Sequence, residues 1–162
     1  LLSVTGAYLF HSLPWAFGLY RTAFDYIPAP EDITLVASTP GGLFVATAKA
    51  TYWLGGSDLS AASMTKVAPY GANEGTLSRS PDDNSLMWFT PNGPVRASPD
   101  GSLALLQDKS IAFPVAGRGA SMVRETNGLK QFIASLSGAS SGSAAAVFGS
   151  YMDAKSIKRV AS

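Results

Sequence analysis

The stretch GGLFVATAKATYWLGG, residues 41–56, decides the class of fold. Leu43 to Thr47 is apolar and β-prone, Ala48-Lys49-Ala50 is a tight connection, and Thr51 to Leu54 is β-branched and aromatic. Glycine pairs bound both ends, so the segment reads as a β-hairpin. The same pattern recurs along the chain. GAYLFHS (6–12), GGLFVAT (41–47), NSLMWFT (84–90) and NGLKQFIASL (127–136) each pass from a Gly or Asn turn into an apolar strand. Leu43, Leu86 and Leu129 are 43 residues apart, and Tyr8 lies 35 before Leu43. A period of roughly 40–45 residues is that of a four-stranded propeller blade.

The segments between these repeats also read as strands and turns. ITLVAST (33–39) ends at Pro40-Gly41-Gly42, and MTKVAPY (64–70) is closed by Pro69 and Gly71. Asn92-Gly93 and Pro99-Asp100-Gly101 are turns, with Val95 to Ala97 a short strand between them. SIAFPV (110–115) and ASMVRET (120–126) follow, then a turn at Asn127-Gly128. Only LSAASMTK (59–66) and DAKSIKRV (153–160) could form helix, and both are short. SLSGASSGSAAAVF (135–148) is nearly pure Ser, Gly and Ala. It reads as a flexible hairpin loop at 137–144, with a last strand from Ala145 to Tyr151. The expectation is one all-β domain over residues 1–162, a β-propeller-like set of three to four antiparallel blades, set against an irregular sandwich. Packing is expected from Leu43, Val45, Tyr52, Leu54, Leu86, Trp88, Leu103, Leu105, Phe132 and Ala134.

Composition narrows the chemistry. The 162 residues are 46% hydrophobic and only 14% charged, with a net charge of +1. So few charges imply a surface of small and hydroxyl residues or one covered by other subunits, and no global attraction to nucleic acid or anionic membrane. There is no cysteine, which removes disulfides and thiolate metal sites. No stretch approaches the 18 or so apolar residues of a membrane span, and LLSVTGAYLF at the start lacks the basic flank of a signal peptide. His11 is the only histidine and lies in a strand-like segment, so it reads as structural rather than as one member of a Ser-His-Asp arrangement. Asp82-Asp83-Asn84 reads as a polar turn rather than a calcium loop, because the later Glu and the Gly spacing are missing. The glycine-rich stretches lack a Walker lysine and a following helix. No catalytic residue, metal ligand or cofactor site is expected. The basic residues Arg118, Arg124, Lys130, Lys155, Lys158 and Arg159 gather in the last third and read as a solvated face or subunit contact. Trp15, Phe17, Tyr20, Phe24 and Tyr26 crowd one segment with few charges near it, and are the candidate interface.

The stretch FGLYRTAFDYIPAPEDITLVASTPGGLFVATAKATYWLGGSD, residues 17–58, resembles the β-propeller-bearing nozzle or hub proteins of short-tailed bacteriophages, the packaged-DNA stabilisation or head–tail completion type. The features are LYR…DYIP at 19–28, GGLFVAT at 41–47, TYWLGGSD at 51–58 and VAPYGANEGT at 67–76. GRGASMVRETNGLKQFIASL (117–136) and GSYMDAKSIKR (149–159) look like the C-terminal end of that family. The resemblance implies the C-terminal blades of a longer, non-enzymatic virion protein, synthesised in the host cytoplasm and residing in the tail. It further implies a homo-oligomeric ring, a hexamer, joined to a portal–adaptor assembly and to other tail proteins, through which packaged DNA passes without sequence-specific binding. The alternative is a soluble β-propeller that binds a ligand or hydrolyses glycans at its central channel.

Overall fold

The expected hairpin is β5 (Gly42–Thr47) paired antiparallel with β6 (Thr51–Gly55), Leu43 opposite Leu54 and Phe44 opposite Trp53. It is the middle of a four-stranded sheet. The computed structural model describes residues 1–13, 15–56, 58–59, 62–81, 83–106, 116–126, 129–138, 143–148 and 157–160. Among these there are fifteen strands and no helix, so the chain is all-β. Sheet I comprises β1 (Leu2–Thr5), β2 (Tyr8–His11) and β3 (Tyr26–Pro28). Sheet II adds β4 (Ile33–Thr39) and β7 (Thr65–Ala68) to the hairpin. Sheet III holds β8 (Ser78–Arg79), β9 (Leu86–Thr90), β10 (Gly93–Ala97) and β11 (Leu103–Leu105). Sheet IV holds β12 (Ala116–Thr126), β13 (Leu129–Gly138), β14 (Ser143–Phe148) and β15 (Ile157–Val160). In every sheet the strands are antiparallel and adjacent in chain order. The repeated apolar segments are β2, β5, β9 and β13, which occupy the second position of their sheets, so the period counts blade-like units.

The sheets stack face to face in chain order. Side chains alternate across a strand, and residues paired on an antiparallel ladder share a face. In sheet II, Leu43, Val45 and Leu54 join Leu9 in one cluster toward sheet I. Phe44, Ala46, Leu35 and Ala37 join Leu86, Trp88, Val95 and Ala97 in a second, toward sheet III. Met87 and Phe89 meet Phe132, Ala134 and Leu136 in a third, toward sheet IV. Strands covered on both faces read as continuous apolar runs rather than alternating ones, which explains LFVA and LMWF. The expected packing set held only half of these positions, because Phe44, Ala46, Met87 and Phe89 are as buried as their neighbours. Leu105 is exposed instead of packed, being the end of the outermost strand of sheet III. The first strands of sheets II, III and IV are linked by hydrogen bonds. Arg79 Nη2 donates to Ser38 O across β8 and β4 (2.6 Å), and Ser78 and Ser121 hydroxyls meet across β8 and β12 (2.6 Å).

Glycines at the ends of the hairpin also make room for a ring. A Cβ at Gly42 would collide with the Leu54 carbonyl oxygen and lie 2.7 Å from the Trp53 indole, and one at Gly101 would meet the same indole at 2.7 Å. The two segments that could have formed helix do not do so where they are described: Thr65 and Lys66 open β7, and Ile157–Val160 is β15, paired with β14, while 60–61 and 153–156 lie outside the described residues. Of the expected loop 137–144, Ser137 and Gly138 close β13 and Ser143 and Ala144 open β14, while 139–142 lie outside the described residues. The strand expected last, from Ala145 to Tyr151, is Ser143–Phe148 and is followed by Ile157–Val160, while residues 149–156 lie outside the description. The segment 110–115, the turn 127–128 and residue 82 also fall outside it.

Asp83 locks the turn before β9. Its Oδ1 accepts from the Ser85 N–H (3.0 Å) and hydroxyl (2.7 Å), and its Oδ2 from Arg96 Nη2 (2.7 Å). Burial pushes this carboxyl up, but hydrogen bonds from Ser85, Ser80 and Arg96 outweigh it and hold the group well below the usual carboxylate range. A carboxyl depressed on folding adds stability above its unfolded value of about 3.9 and loses it as pH falls toward the folded value. Denaturant titrations should therefore show stability declining from about pH 5 downward. The Asp83→Asn variant should begin less stable at pH 7 and decline less over the same range.

Candidate interaction surface

The segment between β2 and β3 carries most of the aromatic cluster and is tied down by its backbone. Leu13 N–H donates to Leu19 O (3.3 Å), Ala16 N–H to Leu13 O (3.2 Å) and Leu19 N–H to Ala16 O (3.1 Å). Phe24 and Asp25 N–H groups both donate to Arg21 O at 2.8 Å. Asp25 is the anchor, with 3% of its surface exposed. Arg21 grips it at both carboxylate oxygens, Nη2 to Oδ1 at 2.7 Å and Nε to Oδ2 at 2.9 Å. Hydrogen bonding from Arg21 holds the Asp25 carboxyl below its ordinary value. A bidentate Arg–carboxylate pair fixes orientation as well as charge.

On this frame the aromatics face outward. Trp15 is 93% exposed, Phe17 78%, Phe24 77% and Tyr26 39%. Tyr20 differs from the other four and is half-buried. Trp15 also has φ of +62°, a left-handed conformation that is rare for a bulky side chain and costs energy. Large apolar groups gathered on a surface mark interaction sites, whereas single ones need no explanation.

Sheet I extends the patch. Tyr8 pairs with Pro28 and Phe10 with Tyr26, so these four share the face opposite Leu9 and Ile27. Tyr8 and Tyr26 meet edge-on at 5.6 Å, and Phe10 lies 6.2 Å from Tyr26. Tyr8 and Leu19 are exposed, and the expected interface included neither. The signal for Tyr8 was available: it alternates with buried Leu9 on a strand whose other face meets sheet II.

A cleft of about 640 Å³ opens between sheets I and II. Its apolar walls include Leu2, Phe17 and Leu43, and His11, Ser12, Arg21, Asp25 and Thr39 also line it. His11 is half-buried on β2, and its N–H donates to Asp25 O at 3.1 Å. The Asp25 carboxylate is occupied by the Arg21 side chain and N–H. Among the described residues no three His, Asp or Glu side chains converge as metal ligands, and no helix is long and apolar enough to cross a membrane. Arg118, in the basic last third, pairs with Glu74 at 2.9 Å. No protein-family model matches the chain, and no curated protein matches it.

Proposed function

We propose that the chain is a structural, non-enzymatic component of a bacteriophage tail, forming blades of a nozzle or hub-type propeller. It assembles as a cyclic homo-oligomer that extends the DNA channel below a portal–adaptor assembly and helps retain packaged DNA. One observation carries the reading: a backbone-tethered segment, anchored by an exposed Arg21 gripping the buried Asp25, presents Trp15, Phe17 and Phe24 to solvent. Energy spent holding exposed aromatics in fixed positions fits a pre-formed contact surface. The resemblance over residues 17–58 supplies the tail, the ring and its six-fold order. A second reading, a ligand-binding propeller, draws on the cleft between sheets I and II, whose volume suits a small molecule.

Native mass and the protein content of purified virions separate the two. The tail reading expects a ring-sized species and the protein in virions; a monomer absent from virions removes it. Trp15→Glu should weaken ring assembly by about tenfold or more while leaving thermal stability nearly unchanged, since the side chain is exposed. Serine-to-glycine changes within 137–144 should have little effect, and His11→Gln should leave assembly intact.

A further inference from the structure

The segment between β2 and β3 is a unit of its own. Among the described residues its backbone hydrogen bonds join its own members, Leu13 to Leu19, Ala16 to Leu13, Leu19 to Ala16 and Phe24 to Arg21, and none from residues 15–24 reaches a strand. The segment can therefore turn without losing them. Its orientation is fixed by a single clasp. Asp25 is tied to β2 through its carbonyl, which accepts from the His11 N–H, and its carboxylate takes Arg21 Nε, Nη2 and N–H. In this position Trp15, Phe17, Leu19 and Phe24 stand in water, and Trp15 keeps its left-handed φ of +62°. Gly18 has φ of +90° and open space where a Cβ would be, the freedom that a hinge position uses. The cleft between sheets I and II adjoins the segment. Phe17 is one of its lining residues, and Leu2, Leu43 and Leu59 are others.

We propose that Trp15–Phe24 is a two-position strap and that the Arg21–Asp25 clasp selects its outward position. With the clasp open, Trp15 and Phe17 turn in on Leu43 and Leu59 and fill the cleft, which withdraws the contact surface. Apolar burial drives the inward turn, and relief of the backbone strain at Trp15 adds to it. The clasp opposes both, because a carboxylate as buried as Asp25 is costly without its guanidinium. The outward position is thus held by one ion pair against the tendency of its own aromatics to leave water, and the balance between the two positions is a population set by that pair. Strained residues gather at switch segments of this kind. The proposal rests on the reading of Trp15, Phe17 and Phe24 as the assembly surface, and names the device that presents or hides it.

Trp53 is half-buried and Trp88 fully buried, so acrylamide quenching of the native chain reports mainly Trp15, and Trp15→Phe supplies the background. Arg21→Ala combined with Asp25→Asn opens the clasp without leaving a buried charge. This variant should show Trp15 quenching reduced several-fold and emission shifted to the blue, with circular dichroism unchanged. Asp25→Asn alone, which keeps an acceptor for Arg21 and loses the charge, should move quenching the same way by less, and serves if the double variant does not fold. Adding Leu59→Ser, which removes part of the apolar wall, should restore native quenching. Native quenching in the clasp variants overturns the proposal. So does faster quenching, which means that the segment unravels instead of turning in, and so does slow quenching indifferent to Leu59→Ser, which places the burial outside the cleft. Assembly is read separately, by native mass. A closed strap should reduce ring formation as Trp15→Glu does, and rings formed undiminished by a slowly quenched variant overturn the link to assembly. A native chain that forms no ring and is absent from virions removes the tail reading, while quenching still decides the strap.

Discussion

Replacing Trp88 by alanine is expected to destabilise the fold by about 3–5 kcal/mol, an effect comparable with the entire stability of a marginal domain. Trp88 lies in the middle of β9, fully buried, with its ring 5.7 Å from that of Phe44 in sheet II. It fills the cluster that joins sheets II and III together with Phe44, Leu86 and Val95. The neighbours are held by two different sheets and cannot collapse into the vacancy without breaking ladder bonds, so the cavity persists. Its indole Nε1 is buried and has no hydrogen-bond partner among the described residues. Trp88→Phe therefore removes an unsatisfied polar group along with some ring volume, and should cost less than half as much as Trp88→Ala. Urea titrations of the three proteins test this through the midpoint at constant slope. Equal losses for Phe and Ala would show that the volume removed and the cavity left do not set the energy.

Trp88 also shows what a sequence can and cannot disclose in this architecture. Its strand, LMWFT, was legible as β because five consecutive β-prone residues lie between turns at Asn84-Ser85 and Asn92-Gly93. Its spacing from Leu43 and Leu129 placed it in an equivalent unit. Which side chains were buried was not legible, because an alternation rule presumes one wet face, and sheets II and III have neither face wet. The converse holds at residues 15–26. Composition alone makes that segment resemble core, and five aromatics in twelve residues were the reason to single it out. Their exposure depends on Arg21 reaching four residues along to a buried Asp25, a contact with no signature in hydropathy. The last four residues of DAKSIKRV form strand and not helix for a related reason: β14 offers Ile157 to Val160 a partner strand, and pairing outweighs weak local propensity.

Gly75→Ala is expected to loosen sheet IV from the rest of the molecule while sheets I and II stay intact. Gly75 has φ of +81°, where an L side chain costs about 1–2 kcal/mol. A Cβ there would also collide with the Gly119 carbonyl oxygen on β12, a backbone atom that no rotamer change can move. Overpacking of this kind costs about 1–3 kcal/mol more, and relief requires β12 to retreat. That retreat strains the bonds binding β12 to the segment before β8: Gly119 N–H to Glu74 O at 2.9 Å and the Ser121 hydroxyl to Thr76 O at 2.6 Å. The cluster of Met87, Phe89, Phe132, Ala134 and Leu136 then carries most of the hold on sheet IV. Local opening follows the weakest interface of a stacked architecture, so hydrogen exchange should accelerate across Ala116–Thr126 and Leu129–Gly138, and remain slow in β5 and β6. Uniform acceleration of exchange across all four sheets would mean instead that the stack opens as one unit.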